Sequence, residues 1–303
     1  MQAHGSRRFH LLVTSLVLMV VLACSSFLPS DDSSDPSGSI VWAADESGNF
    51  EIYHIYLGGF DPVPIRLTNN TSEDIAPYYI PSTQEIGYVS DKSGKYKLYT
   101  MSLIGSDEIA WKKDDSRAFG SPSLSPNDEW MAFVIQIDDK SSDLYIARPD
   151  GSGEERLTQE SGLDWDPSWS PDGKEIVYAS DADGDWEIYV INVENKDVVQ
   201  LTDNELYDGH PRWSPMGNRI VFDTDRGGDW EIFAMDSDGR NVKAVTENSA
   251  GDWMPAWSPD GQWIVYVSNR DGDGEIYIID AYGKNQSKLT NNDTQDLYPL
   301  WIP

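Results

Sequence analysis

Five aspartates recur at one position of a long internal repeat, and carboxylates in such a pattern could bind a cation or a cationic partner. Each lies three residues before the proline that opens a repeat: Asp74, Asp164, Asp208, Asp252 and Asp296. Like charges brought together repel one another, so a bound Ca²⁺ would relieve the repulsion. A structural interpretation competes with binding, because aspartates in repeated turns commonly accept backbone N–H groups.

Aromatic and imidazole side chains accompany these carboxylates. Trp165 and Trp253 each follow one of the aspartates directly, and His210 follows Asp208 by two residues. Indole rings beside carboxylates suit a cation, a basic peptide or a stacked sugar. His210 is therefore the histidine best placed for chemistry, whereas His54 lies in a predicted strand and is expected to be packed.

The sequence has few of the residues on which catalytic and metal sites are usually built. It contains 4 histidines and 1 cysteine, too few for a histidine-rich or cysteine-rich metal site. A G-x-S-x-G motif, which would mark a serine hydrolase, is absent from it. We therefore predict no catalytic residues, no metal-ligating residues and no cofactor, with Ca²⁺ at the acidic positions as the one candidate ion.

The acidic positions are set by a repeat of 44 or 45 residues. Its marker prolines are Pro77, Pro122, Pro167, Pro211, Pro255 and Pro299. One repeat contains four short runs rich in β-branched and aromatic residues, separated by turn-forming residues. In the clearest copy the predicted strands A to D are 167–170, 175–180, 186–192 and 198–202. The phrase WSPDG at 169–173 supplies the turn between A and B, and its tryptophan is expected to pack between neighbouring sheets.

Four-stranded units that repeat without helices are typical of a β-propeller. The first copy, from Ser39, contains strands B, C and D, and residues 298–303 supply one further A strand. Pairing of the last strand with the first would complete a blade and remove exposed sheet edges. The sequence thus predicts an all-β fold, a six-bladed β-propeller of four-stranded blades closed by the C-terminal strand.

Strand direction sorts the loops of such a propeller between its two faces. The D–A and B–C loops should emerge on one face, and the A–B and C–D turns on the other. The five aspartates are predicted to lie in the D–A loops. They would then surround one mouth of the central channel, with His210, Trp165 and Trp253 beside them.

The repeated residues resemble the TolB-like propeller repeat family. The matching pattern reads Pro-x-Trp-Ser-Pro-Asp-Gly, then Ile-Val-Tyr, then Glu-Ile-Tyr and Leu-Thr, and it covers residues 39–303. The resemblance implies a six-bladed propeller and a binding role in the bacterial cell envelope. The same family includes propeller domains of peptidases and of sugar-cleaving enzymes. TolB itself has an additional N-terminal α/β domain, where this sequence has a short tether.

The N-terminal residues resemble a bacterial lipoprotein signal. Arg7 and Arg8 precede an apolar run at 11–22, and the tetrad at 21–24 ends on Cys24, the single cysteine. We expect a signal peptide at 1–23, a lipidated flexible tether at 24–38 and the propeller at 39–303. The protein would be exported and lipid-anchored to the bacterial membrane on its periplasmic or extracellular side. An ordinary secretory signal is the alternative.

The formal net charge of −30 limits the partners that the protein could bind. It repels nucleic acid and anionic lipid headgroups, so contact with the membrane is expected through the lipid anchor only. We expect a monomer that acts as a non-catalytic binding or scaffolding module and holds an envelope protein or peptide, with a basic one favoured by charge. The alternative is a carbohydrate-binding or carbohydrate-active propeller.

Overall fold

The computed structural model describes residues 35–59, 62–111, 119–159 and 161–303. The predicted signal peptide, Cys24 and most of the tether lie outside the described residues. Within them the chain forms strands joined by turns and loops. No helix in these ranges has the length and apolarity needed to cross a bilayer.

The strands form six antiparallel sheets of four strands each. Blade 1 contains β24 (Asp296–Ile302), β1 (Ser39–Ala44), β2 (Glu51–Tyr56) and β3 (Ile65–Arg66). Blade 2 contains β4 (Asp74–Ile80), β5 (Glu85–Ser90), β6 (Lys97–Ser102) and β7 (Ile109–Ala110). Blade 3 contains β8 (Phe119–Leu124), β9 (Met131–Asp138), β10 (Ser141–Ala147) and β11 (Glu155–Arg156). Blade 4 contains β12 (Asp164–Trp169), β13 (Glu175–Ser180), β14 (Glu187–Asn192) and β15 (Val198–Gln200). Blade 5 contains β16 (Asp208–Trp213), β17 (Arg219–Thr224), β18 (Glu231–Asp236) and β19 (Lys243–Ala244). Blade 6 contains β20 (Asp252–Trp257), β21 (Trp263–Ser268), β22 (Glu275–Asp280) and β23 (Ser287–Lys288).

The C-terminal strand closes the ring, as predicted. Strand β24 pairs antiparallel with β1, with Trp301 opposite Ile40 and Leu300 opposite Val41. The innermost strands also contact one another in cyclic order, from β4 through β8, β12, β16 and β20 to β24 and back to β4. The predicted six-bladed propeller is therefore confirmed.

The hydrophobic core consists of six clusters, each between two neighbouring blades. The cluster between blades 6 and 1, for example, joins Val265 and Ile276 to Ile40 and Trp301. Trp169 and Trp213 lie in the corresponding clusters of blades 3 and 4 and of blades 4 and 5. Because each sheet buries both faces against its neighbours, the blades depend on one another for their apolar contacts.

The repeated WSPDG phrase forms a tight turn between the first two strands of a blade. In blade 4, Gly173 adopts a φ of +70° and donates its N–H to the carbonyl oxygen of Ser170 at 2.9 Å. Asp172 accepts the hydroxyl of Ser170 at 2.8 Å.

The end of the predicted tether contacts the propeller, because the indole of Trp301 donates to the carbonyl oxygen of Ser37 at 2.8 Å.

Candidate functional site

Five of the innermost strands carry a strained residue directly before their marker proline. These residues have positive φ although none is glycine: Ala76 (48°), Asp166 (54°), His210 (45°), Met254 (55°) and Tyr298 (55°). In each blade the register between the first two strands shifts near this position. The left-handed conformation is costly for residues with a Cβ. Five repetitions of it show that the bulge is built into the fold.

The bulge residues line a cavity of about 500 Å³ in the central channel. The lining position two residues further along the strand is occupied by small side chains in three blades, Ser123, Ser168 and Ala256. In blade 2 the ring of Tyr78 packs over Gly87, where an added Cβ would lie 1.9 Å from the ring. The channel is therefore left open over a volume typical of small-ligand sites.

One wall of this cavity carries a cluster of charged side chains from blades 4 and 5. His210 Nδ1 lies 2.7 Å from Asp223 Oδ2, and His210 Nε2 lies 3.6 Å from Asp166 Oδ2. Asp223, which is fully buried, also accepts the backbone N–H of Met254 in blade 6 at 2.7 Å. The guanidinium of Arg212 lies 4.0 Å from Asp166 Oδ1. These contacts join the innermost strands of three consecutive blades.

The two carboxylates determine the charge of His210. Burial alone would lower the pKa of this imidazole, but Asp223 and Asp166 outweigh burial and raise the pKa to about 9. His210 is therefore an imidazolium at neutral pH. The sequence placed His210 beside Asp208, and this is wrong: the bulge turns its side chain to Asp223 and Asp166 instead.

The five repeated aspartates are not in the D–A loops, and this prediction is also wrong. Each is the first residue of an innermost strand, and its side chain is at most 7 % exposed: Asp74, Asp164, Asp208, Asp252 and Asp296. They bind side chains of the protein. Arg226 donates to both oxygens of Asp208 at 2.8 and 2.7 Å, and Arg270 donates to both oxygens of Asp252 at 3.1 Å. The five carboxylates are thus buried between strands, where they do not form an exposed acidic rim.

The aspartates belong to a hydrogen-bonded unit that sequence reasoning missed. In blades 1, 4, 5 and 6 an asparagine that follows the fourth strand donates its side-chain amide to the aspartate at 2.7–3.1 Å. The backbone N–H of the same asparagine donates to the glutamate that begins the third strand, at 2.5–2.9 Å. The recurrence of glutamate in Glu-Ile-Tyr and of asparagine after Leu-Thr was the available signal. We call this unit the aspartate latch.

The latch differs between blades in its basic partner. Arg226 and Arg270 form ion pairs with Asp208 and Asp252, but in blade 1, which begins with Asp296, the corresponding position is occupied by Glu46. Burial, only partly offset by hydrogen bonds, raises the pKa of Asp296 to about 7. Burial likewise raises the pKa of Asp164 to about 6.

The two predicted tryptophans lie outside the cavity. Trp165 and Trp253 are half-buried, and the cavity lining begins one residue further along their strands. Trp253 packs against the cluster between blades 6 and 1. Among the described residues, no group of three or more His, Cys, Asp or Glu side chains is arranged to hold a metal ion.

A second surface was found on the face of the D–A and B–C loops. Three loops of blades 4 and 5 meet there, at 181–186, 201–207 and 225–230. The rings of Trp186, Tyr207 and Trp230 contact one another in series, with centroid distances of 5.9 and 4.6 Å. Asp183, Asp203 and Glu205 are exposed in the same loops. We call this region the acidic loop surface.

The geometry defines a closed six-bladed propeller with a polar wall inside its channel and an acidic surface on one face. A profile of the TolB beta propeller domain (PD40) matches residues 112–208. The chain is 28% identical over 155 residues to the protein TolB homolog of Chlorobium luteolum, a match covering 51% of this chain and 34% of that protein. It is 30% identical over 118 residues to the Tol-Pal system protein TolB of Bordetella pertussis, a match covering 38% of this chain and 26% of that protein.

The solved structures give the same result for the fold. The crystal structure of TolB from Acinetobacter baumannii superimposes with a TM-score of 0.78 at 22% identity, covering 88% of this chain and 67% of that one. More distant structures with the fold include a hydrolase and a lyase. The chain therefore has the fold of the TolB propeller, and its central part matches the TolB beta propeller domain. It spans about a third or less of the length of the curated relatives that it matches.

Replacement of Asp296 by asparagine is expected to stabilise the protein at alkaline pH. The folded-state pKa of Asp296 is raised to about 7. The stability that the Asp296 carboxyl group contributes is therefore complete only below its unfolded-state pKa, and it is lost as the pH rises through about 7. The advantage of Asp296→Asn in unfolding free energy should grow by about 1–3 kcal/mol between pH 5 and pH 8, as measured by urea denaturation.

The matched control is the same substitution at Asp208. Asp208→Asn removes the carboxylate that faces the largely buried Arg226, so it should destabilise the protein by roughly 2–4 kcal/mol at pH 8. Equal losses of unfolding free energy in both variants at pH 8 would show that Asp296 is as well paired as Asp208, and would contradict the raised pKa of Asp296.

The pKa values of the two histidines of the propeller are expected to be shifted in opposite directions. His210 should titrate near pH 9 because of its two carboxylates, whereas burial lowers the pKa of His54 below its usual 6.5. The stability that His210 contributes should be complete below pH 6.5 and lost as the pH rises through about 9. Long-range ¹H–¹⁵N NMR of both imidazoles measures the two values. A His210 pKa at or below that of His54, or one unmoved by Asp166→Asn, would contradict the charge assignment.

Proposed function

We propose that the protein is a non-catalytic binding module of the bacterial cell envelope that captures a basic protein segment on the acidic loop surface. The observation that carries the proposal is the composition of that surface, in which contacting aromatic rings lie in the same loops as exposed carboxylates. Rings of this kind attract lysine and arginine side chains through cation–π interactions, and the carboxylates add charge complementarity. The similarity to TolB proteins supports a role in the envelope.

The negative charge of the acidic loop surface is not neutralised by basic residues of its own loops. Its three loops contain one basic residue, Arg226, and that guanidinium is bound to the buried Asp208. Asp183 accepts the side-chain amide of Gln200 at 2.6 Å, a bond that leaves the negative charge in place. A partner bearing lysine or arginine would therefore meet uncompensated carboxylates.

The state of His210 supports a role without catalysis. A general base must accept a proton near the working pH. His210 already carries the proton at neutral pH, because its pKa is raised to about 9, and its Nδ1 is engaged by Asp223. The imidazolium is better suited to a fixed positive charge than to proton transfer.

Neutralisation of the acidic loop surface should weaken binding of a basic probe. The variant combines Asp183→Asn, Asp203→Asn and Glu205→Gln, and the probe is a labelled peptide in which lysine alternates with tyrosine. We expect the dissociation constant to rise at least tenfold, and binding by the wild type to weaken with added salt. Fluorescence anisotropy measures both effects.

The control removes the same charge from the opposite face, through Glu194→Gln, Asp197→Asn and Asp238→Asn in the C–D turns. It should bind the lysine peptide as the wild type does. Equal weakening in both triple variants would reduce the effect to net charge and refute the site. The partner retained from envelope extracts should follow the same order among the three proteins.

Carbohydrate binding is the second candidate, because indole and phenol rings also stack on sugars. Trp186 and Trp230, on either side of Tyr207, are the rings that would serve. A neutral oligosaccharide that binds in a glycan array, and whose binding survives the acidic triple substitution but is lost in Trp230→Ala, would replace the peptide proposal.

The proposed location rests on Cys24, which lies outside the described residues. In our proposal the protein is exported and anchored in the membrane by a lipid on this cysteine. Full-length wild-type protein expressed in bacteria should enter the detergent phase on Triton X-114 partitioning, whereas Cys24→Ser should remain in the aqueous phase. Aqueous partitioning of both proteins would refute the anchor.

A further inference from the structure

The channel cavity is a separate feature, and it takes no part in the function proposed above. Its lining runs from the bulge residues to the A–B turns, where Pro126, Pro171, Pro215 and Pro259 contribute. These turns lie on the face opposite to the D–A and B–C loops. A ligand in this cavity would therefore approach from the other side of the disc.

The polar wall of the cavity carries charges of both signs, because the Arg212 guanidinium and the His210 imidazolium are balanced by the carboxylates of Asp166 and Asp223. Arg212 and the His210 imidazolium both line it, and Asp166 is the carboxylate that lines it between them. Asp223 is fully buried behind the wall, where His210 and the Met254 amide occupy one of its oxygens. Asp128 lines the rim, where it accepts the N–H of Ser82 at 2.7 Å.

The backbone holds the guanidinium of Arg212 in place. Its Nη1 donates to the carbonyl oxygens of Pro211 and Asp166 at 2.9 and 3.3 Å. The side chain is 34% exposed, and its Nη2 approaches Asp166 only to 4.0 Å, which is beyond hydrogen-bonding distance. A guanidinium fixed at one nitrogen and accessible at another can bind a carboxylate with directed N–H groups.

The remaining wall is apolar. Met254, Tyr298 and Leu300 lie along it, and Trp169, Trp213 and Trp257 line the cavity next to the A–B turns. An apolar wall beside an accessible guanidinium matches a ligand that has a hydrocarbon or aromatic body and a single acidic group. The small side chains of Ser123, Ser168 and Ala256 leave the room for it.

We propose that the channel cavity is a binding site for a carboxylate attached to an apolar body, with Arg212 binding the carboxylate. Two sources present this chemistry, a free organic acid and the C-terminal carboxylate of a peptide chain. Arg212 supplies the directed N–H groups, and the charge of His210 is balanced by Asp223 behind the wall.

The test titrates the full-length protein with four probes and follows tryptophan fluorescence, because three tryptophans line the cavity. The probes are 3-phenylpropionate and N-acetylphenylalanine, each beside its uncharged amide. We expect at least one acid to bind with a dissociation constant at least tenfold below that of its amide. Binding of phenylpropionate alone identifies a small organic acid as the source, and binding of N-acetylphenylalanine alone identifies a peptide terminus.

Variants then locate the site. Arg212→Met should weaken binding of the acid at least tenfold, and Arg212→Lys should weaken it severalfold because it keeps the charge but loses the planar fork. Arg240→Gln, in an exposed C–D turn with 81% of the side chain exposed, should bind as the wild type does. Melting temperatures show whether each variant is folded. If Arg212→Met does not fold, the binding measured for Arg212→Lys decides the test.

Three results would overturn the proposal. The first is failure of both acids to bind at millimolar concentration. The second is equal binding of acid and amide, which would show that the carboxylate is not recognised. The third is binding unchanged in the folded Arg212 variants. None of these results bears on the acidic loop surface, whose peptide test uses the opposite face.

Discussion

The pairing of β24 with β1 is the interaction on which the rest of the structure depends. It joins the two ends of the chain across Trp301 and Ile40, and it brings blade 6 against blade 1 through a shared apolar cluster. Without it, blades 1 and 6 would each lose a packed face, and the innermost strands would no longer surround a channel. Since the bulge residues face one another only around a complete ring, closure of the ring is also the condition for the cavity.

The aspartate latch explains how short sheets of this kind stay in register. The fourth strand of a blade has only two or three residues, so few ladder bonds hold it to its neighbour. The threonine that follows accepts the backbone N–H of the third strand, as Thr202 does for Ile188 at 2.8 Å. The asparagine then ties the glutamate of the third strand to the aspartate that begins the next blade. The carboxylates are therefore used to connect successive blades, and their burial follows from that use.

The sequence was sufficient to predict the fold because strand alternation, turn residues and the 44-residue period are local properties. Strands β13 and β1 were predicted at 175–180 and from Ser39, where the structure has them. The sequence was not sufficient to predict the candidate functional site. Asp166 and His210 are 44 residues apart, and which way their side chains point depends on a bulge that shifts the register within each innermost strand. The regularity of the repeated aspartates suggested a binding role, yet in this propeller these regular polar positions are buried and hydrogen-bonded between strands.

The contrast between repeated and variable positions indicates where function resides in this propeller. The first position of the innermost strand is aspartate in five blades, and each of these carboxylates is buried. The bulge position two residues later carries Ala, Asp, His, Met or Tyr in the same five blades, on the same strained backbone. A strained conformation that recurs in five blades while its side chain changes places different chemistry at equivalent points of one cavity. Because the scaffold already holds each blade in place, a single substitution at a bulge can alter the channel wall without disturbing a latch. His210 and Asp166 show this, since they place ionisable side chains at bulge positions where blades 1, 2 and 6 have Tyr298, Ala76 and Met254.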